Sequence, residues 1–295
     1  MDDIAQLSAT FQQGRPRLRG IAYRMLGSVS ESDDALQNAW GRANSAGTEG
    51  VENLGAWLTT IVVRTCLNML RSRSMRREEP LEHALPDPIV TAESGPSPED
   101  QAMLADAVGL ALQVVIDTLG PNERVAFVLH DLFEIPFEAI APMLERTTEA
   151  TRQLASRARR RVKQADLPPR DPDPTRQREA VDAFFAAGRA GDLGALVAVL
   201  APDVVLRTDA AFGPVRTPGV VRGAENVARH ARLAAGGGGQ LHSVLVNGEA
   251  GVLVTLGERP HALIAFSVSD GKIHQILAIA DPVRVGALTT RWPRL

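Results

Sequence analysis

Between Arg146 and Lys163 the sequence places seven basic residues against a single acid, Glu149. Guanidinium groups at Arg152, Arg157, Arg159 and Arg160, interleaved with Gln153 and Ser156, suit the neutralising of phosphates and the hydrogen bonding of base edges. A second set, Arg64, Asn68 and Arg71, stands four and three residues apart, so one helix face carries all three. Arg73, Arg76 and Arg77 extend the positive end that begins at Arg71. Only Lys163 and Lys272 are lysine. Arginine in that excess suits phosphate and guanine recognition, and a codon-usage bias accounts for it equally well. Each basic stretch also has a plainer explanation, a solvated helix end favoured by the helix dipole.

Two helices and a tight turn must position the first set. Phe137, Ile140, Ala141 and Leu144 share one apolar face, Glu145-Arg146-Thr147 interrupts, and a second periodic run starts at Thr148. Within that run Thr151, Ala155, Ala158 and Val162 make a narrow face of mostly small residues, and Thr147 or Thr148 supplies an N-cap. This is a helix-turn-helix pattern. The second set sits on a helix from about Leu54 to Arg77, with Leu58, Ile61, Val62, Thr65 and Met69 inward. Ahead of it, Leu18, Ile21, Ala22, Met25 and Leu26 predict a helix stopped by Gly27, and Ser32-Asp33-Asp34 opens another. That helix turns Ala35, Leu36, Ala39 and Trp40 inward and leaves Asp33, Asp34, Gln37 and Asn38 available outside. A loop, Asn44–Asn53, follows.

At 295 residues the chain is long enough for two or three domains, and its net charge of −3 means that any affinity for nucleic acid comes from local patches. Cys66, the single cysteine, excludes an intrachain disulfide and a cysteine-cluster metal site. The acidic start MDDIAQLSAT lacks an apolar signal core and no run reaches membrane-spanning length, so the expectation is a cytoplasmic protein with no membrane partner and no cofactor. Proline and acid dominate Glu78–Glu99, which reads as a linker; helix resumes near Gln101, and Leu167–Thr175 is a second linker.

Beyond Thr175 the grammar changes to two helices broken at Gly191-Asp192, a strand over Val204–Thr208, a helix near Ala224–Leu233, then strands at His242–Val246, Val252–Leu256, Ala262–Val268 and Lys272–Ala280. Asp270-Gly271 makes the last two a hairpin. Helices followed by a meander indicate an α+β unit. Asp209, His230, His242, His261 and His274 are its candidate acid–base groups, but no metal-ligand spacing such as His-Glu-x-x-His occurs.

The runs RLRGIAYRMLGS, DDALQNAW and AWLTTIVVRTCLNMLRSR, followed by LGPNERVAFVLHDLFEIPFEAIAPMLERTTEATRQLASRARRRV, resemble the bacterial RNA polymerase sigma factors of the extracytoplasmic-function type. GDLGALVAVLAPDVVL, VVRGAENVARH and DGKIHQILAIADPVRV are similar to SnoaL-like, cone-shaped domains of the nuclear-transport-factor-2 fold. The resemblance implies a multidomain chain of two all-α domains and an α+β cone: region 2 over 1–79, a linker over 80–99, region 4 over 100–166, a linker over 167–175 and a regulatory domain over 176–295.

It further implies that Asp33, Asp34, Gln37 and Asn38 face the clamp helices of the polymerase β′ subunit, Asn38 standing where an acid is usual. The loop ending at Asn53 would hold a flipped base of the minus-ten element, although it has no aromatic residue to stack there, and Arg64, Asn68 and Arg71 would lie along the melting DNA. Glu149, Arg152, Gln153, Ser156 and Arg157 would enter the major groove of the minus-thirty-five element, with Arg159 and Arg160 on phosphates and region 4 on the β flap. Asp209, Asp281 and Pro282 would be regulatory, through contact of the C-terminal domain with the sigma domains. Glu145 replaces the usual turn glycine. Two other readings stay open: a stand-alone helix-turn-helix regulator, and a cyclase or isomerase built on the last domain.

Overall fold

The computed structural model describes residues 2–76, 85–93, 109–167, 169–209, 219–234 and 238–290. Arg77, Ala210–Gly213 and the helix expected to resume at Gln101 lie wholly or partly outside the described residues. The chain divides into two compact units: Met1–Glu79 with Val115–Asp166, and Pro80–Val114 with Leu167–Leu295.

The first unit is all helical. It contains α1 (Asp2–Leu26), α2 (Val29–Ala46), α3 (Leu54–Arg76), the end of α4 (Leu110–Asp117), α5 (Pro121–Phe127) with a π turn at Val128–Leu132, α6 (Phe137–Leu144) and α7 (Thr148–Gln164). Gly27 ends α1 at φ +71°, its N–H donating to Tyr23 O, and a Cβ there would stand 3.0 Å from a carboxylate oxygen of Asp117. The α1 terminus is therefore in contact with the end of α4. Arg124, 4% exposed, ties the same place. Its Nη1 donates to Met25 O (2.9 Å) and Asp117 Oδ1 (2.7 Å), and its Nη2 to Asp117 O (2.5 Å). The two helical modules expected from the sequence thus share one interior.

The α6–α7 corner follows the predicted helix-turn-helix. Ile140, Ala141, Met143 and Leu144 are buried on α6, and Thr151, Leu154, Ala155 and Ala158 on α7. Thr147 Oγ1 accepts the Ala150 N–H at 3.2 Å as the N-cap of α7. Glu145 closes the turn in the left-handed region, φ 56° and ψ 46°.

The second unit is one seven-stranded sheet in the order β1-β4-β5-β6-β7-β2-β3. Its strands are β1 (Val90–Ala92), β2 (Leu200–Thr208), β3 (Gly219–Arg222), β4 (Gln240–Val246), β5 (Glu249–Leu256), β6 (Arg259–Ser269) and β7 (Lys272–Ile279). Four helices accompany them: α8 (Pro174–Ala190), α9 (Leu193–Val199), α10 (Ala224–Ala234) and α11 (Pro282–Leu288). All pairings are antiparallel except β2 with β7.

Alternation along the strands fills two cores. Val252, Ile264, Phe266, Ile276 and Ala278 pack with Val181, Phe184, Leu196 and Val227 of the helices. Their neighbours Leu253, Leu263, Ala265, Leu277 and Ile279 pack on the other face with Val285, Leu85 and Val114. A sheet covered on both faces needs apolar residues at consecutive positions, and ALIAFSV in β6 is that pattern. Leu85 comes from the stretch read as a linker, which also adds β1 to the sheet edge, and Val114 from the helix expected to resume at Gln101.

The left-handed backbone at Glu145 generates a prediction. Glu145→Gly removes a Cβ penalty that exceeds the entropy glycine adds to the unfolded chain, and should stabilise the protein by about 1 kcal/mol in denaturant titrations followed by circular dichroism. An equal or lower midpoint would contradict this account of the turn.

Candidate nucleic-acid interface

All seven predicted residues of α7 are exposed: Glu149, Arg152, Gln153, Ser156, Arg157, Arg159 and Arg160. They stand on the faces left free by the buried stripe, with Glu149, Gln153, Ser156 and Arg160 diametrically outward by helical geometry. The flanking arginines rest on acids of neighbouring elements. Arg152 Nη2 donates to Glu138 Oε1 (2.9 Å), Arg159 Nε to Asp131 Oδ1 (2.6 Å) and Arg157 Nε to Glu123 Oε1 (3.0 Å). Arg152 and Arg159 also lie over the Phe137 ring, 5.8 and 6.0 Å from its centroid. The acids Glu123, Asp131 and Glu138 were not singled out from the sequence. Their partners are 14 to 34 residues away, so no local pattern announces them.

The second set is divided. Arg64 Nη2 donates to Pro142 O on α6 at 3.0 Å, and Arg71 Nη2 to Asn122 Oδ1 on α5 at 3.2 Å. Asn68 lines a cleft of about 500 Å³ between α2 and α3, together with Asn38, Arg42 and Thr65. Asn53 caps α3, its Oδ1 accepting the Ala56 N–H at 3.0 Å. On α2, Asp34, Gln37 and Asn38 are exposed, whereas Asp33 is tied to Arg19 at 2.7 Å. Gln37 and Asn38 border a second, shallower cleft of about 890 Å³ with Trp40. The loop expected from Asn44 is shorter, because α2 runs on to Ala46.

Residues 10–76 match the family model of sigma-70 region 2, and residues 109–162 that of sigma-70 region 4. The chain is 39% identical over 285 residues to the ECF RNA polymerase sigma factor SigJ of Mycobacterium tuberculosis, spanning 92% of this chain and 91% of that protein. This chain belongs to the extracytoplasmic-function RNA polymerase sigma factors. A probable ECF sigma factor of the same organism, SigI, is 33% identical, covering 94% of this sigma factor and 93% of its own length. The crystal structure of SigJ superposes with a TM-score of 0.74 at 36% identity, covering 95% of this chain and 98% of that one. The likeness therefore runs along more than nine-tenths of the chain, well into the α+β unit.

In the sigma factor's second unit, Asp209, Asp281 and Pro282 come together around Arg284. Asp209 Oδ1 accepts the Ala280 N–H (2.8 Å) and the Asp281 N–H (3.4 Å), and its Oδ2 takes Arg284 Nη1 (2.8 Å). Asp281 caps α11 through the Arg284 N–H at 2.9 Å, with Pro282 in the first turn. Arg284 then reaches the linker, donating Nε to Asp87 Oδ1 at 2.5 Å and Nη2 to Leu85 O. Asn247 exchanges two 2.8 Å bonds with Ile89, N–H to O and Oδ1 from N–H. Arg178 holds the far end, with Nε on Glu93 Oε1 at 2.6 Å. Arg284 and Asn247 were missed. The signal available was Pro86 and Pro88 forcing extended backbone ahead of the β-branched Ile89-Val90-Thr91.

Of the acid–base candidates, Asp209 belongs to this ionic cluster while His242 Nε2 shares a 2.9 Å bond with Thr255 Oγ1 on the sheet. Each is occupied by its own partner. Among the described residues no helix is long and apolar enough to cross a membrane, and no group of metal-binding side chains occurs.

Glu249 is buried beside Gly109, whose added Cβ would stand 2.8 Å from Glu249 Oε1. Burial pushes its carboxyl up to about 7, outweighing the attraction of Arg170, whose Nε is 3.4 Å away. Between about pH 4.5 and 7 the unfolded chain releases this proton while the folded chain keeps it. Stability contributed by this site therefore falls as pH rises through that window and levels off above it. Glu249→Gln should remove the loss, gaining on the order of 3 kcal/mol relative to wild type from low to high pH in urea titrations. A pH-independent difference between the two proteins would contradict the assignment.

Proposed function

We propose that this sigma factor directs core RNA polymerase to promoters through α2, α3 and α7, and that its own C-terminal sheet restrains it. The observation that carries the reading is the exposed, arginine-edged face of α7 in the same helical unit as a second basic face on α3. On α7, Glu149, Gln153, Ser156 and Arg157 read base edges in the minus-thirty-five major groove, and Arg152, Arg159 and Arg160 exchange solvent or carboxylate partners for phosphates. On α2, Asp34, Gln37 and Asn38 offer the polymerase an exposed polar ridge, and Asp33 keeps Arg19 beside it. Catalysis of RNA synthesis belongs to the polymerase.

Arg64 and Arg71 give donors to α6 and α5, so this helical unit is closed with respect to the minus-ten strand. Both arginines are exposed, and bonds of this kind contribute roughly 0–1 kcal/mol each. Phosphates can replace those acceptors once the helices part. Asn68 stays accessible in the α2–α3 cleft, and Asn53 acts on the DNA indirectly by fixing the start of α3.

The C-terminal sheet acts on the chain between the two DNA-reading modules. Pairing Val90–Ala92 as an edge strand ties the chain between the two modules to the sheet, because an anchored chain samples fewer end-to-end separations than a free one. Arg284, positioned by Asp209, Asp281 and Pro282, is the latch of that arrangement.

Run-off transcription with purified core polymerase, on templates selected by the reconstituted holoenzyme, tests both parts. Transcript should require core and sigma factor together, and both deletion after Thr175 and Arg284→Ala should raise its yield while polymerase binding persists. Absence of transcript with the intact chain would remove the initiation reading; unaltered yield from both variants would remove the restraint.

A further inference from the structure

The acids beneath α7 do not hold its arginines in the same way. Glu123 takes Arg157 by Nε at 3.0 Å with Oε1, and its Oε2 is 3.1 Å from Arg161 Nη1. The Glu123 side chain is 14% exposed against 53% for Arg157, so the carboxylate is the fixed member and the guanidinium the projecting one. A guanidinium pinned through Nε keeps its two terminal nitrogens for another partner, and that pair matches the O6 and N7 acceptors of guanine. Arg152 is held in the opposite sense. Its Nη2 is spent on Glu138 Oε1 at 2.9 Å, with Nη1 4.0 Å from Glu149 Oε2. Arg159 is pinned by Nε on Asp131 but lies over Phe137, towards α6.

We propose that Glu123 is a positioning residue for promoter recognition: it aims the terminal edge of Arg157 at a guanine in the major groove and steadies Arg161 beside it. The inference rests on the reading of α7 as the minus-thirty-five helix. Glu123 never touches DNA in this arrangement; it acts by removing the rotamer freedom that Arg157 would otherwise surrender on binding. Its negative charge, placed close to phosphates, would lower affinity for any duplex if it did nothing else, and two guanidinium groups already offset it. Glu138 differs in kind, since it occupies a terminal nitrogen of Arg152 that would otherwise meet a phosphate.

The test uses holoenzyme rebuilt from core polymerase and the full chain. Binding is measured to a duplex selected by the unaltered holoenzyme and to the same duplex with its minus-thirty-five half scrambled. Glu123→Gln should cut the discrimination between them roughly tenfold, while affinity for the scrambled duplex holds or rises as a negative charge is lost. Glu123→Asp, which keeps the charge on a shorter stem, should retain more discrimination than Glu123→Gln. Adding Arg157→Ala to Glu123→Gln should cost no more discrimination than Arg157→Ala alone, because the two act through one contact. Parallel loss on both duplexes would mark Glu123 as merely structural and overturn the proposal, as would additive effects in the double variant. If Arg157→Ala discriminates normally, the reading of α7 falls as well; if it discriminates poorly while Glu123→Gln does not, only the positioning role falls.

Discussion

The buried guanidinium of Arg124 joins the helical modules of this sigma factor. It neutralises Asp117 and caps a carbonyl at the end of α1, where the last turn leaves backbone oxygens without intrahelical partners and the helix dipole is negative. A buried charge stripped of its partner is costly, by roughly 3–5 kcal/mol in comparable pairs. Gly27 permits the approach, since any side chain there would press on the Asp117 carboxylate. The rest of the helical arrangement follows from this contact. With α4 and α5 fixed against α1, the faces of α3 and α6 meet, and Arg64 and Arg71 find acceptors on region 4.

Those secondary bonds are exposed and weak, whereas the Arg124 contact is dry and strong. The α1–α4 junction is therefore firm, whereas the contacts of α3 with α5 and α6 are exchangeable. The recognition face of α7 shows the same economy. Its arginines are parked on carboxylates at the edge of the helix, ordered but accessible. Electrostatic pairs of that kind preserve side-chain geometry without adding much to stability.

Much of this was legible in the sequence. The spacing of Thr151, Ala155 and Ala158 foretold which side of α7 packs, and the Asp270-Gly271 turn foretold the β6–β7 hairpin. Gly27 was read correctly as a stop for α1. The end of α2 was not, and the cap that Asn53 gives α3 went unread, because a capping side chain and a polar loop share the same composition. The linker strand stayed hidden for a different reason. Three residues have no measurable period, and the β4 edge they join lies about 150 residues further on, beyond reach of any local pattern. Pairings such as Arg284 with Asp87 or Arg157 with Glu123 depend on tertiary proximity alone.

The account stands or falls on whether the helical unit opens when it meets polymerase. Cys66 is buried and its thiol is pushed up to about 12, so it stays protonated and leaves cysteines introduced at Ser74 on α3 and Gln164 on α7 as the reactive pair. Electron paramagnetic resonance between spin labels at those positions measures the separation of the two DNA-reading helices directly. A narrow distribution for the free protein that moves to longer distance on adding core polymerase is the predicted result. The same distance before and after, in a labelled protein that still initiates transcription, would contradict it.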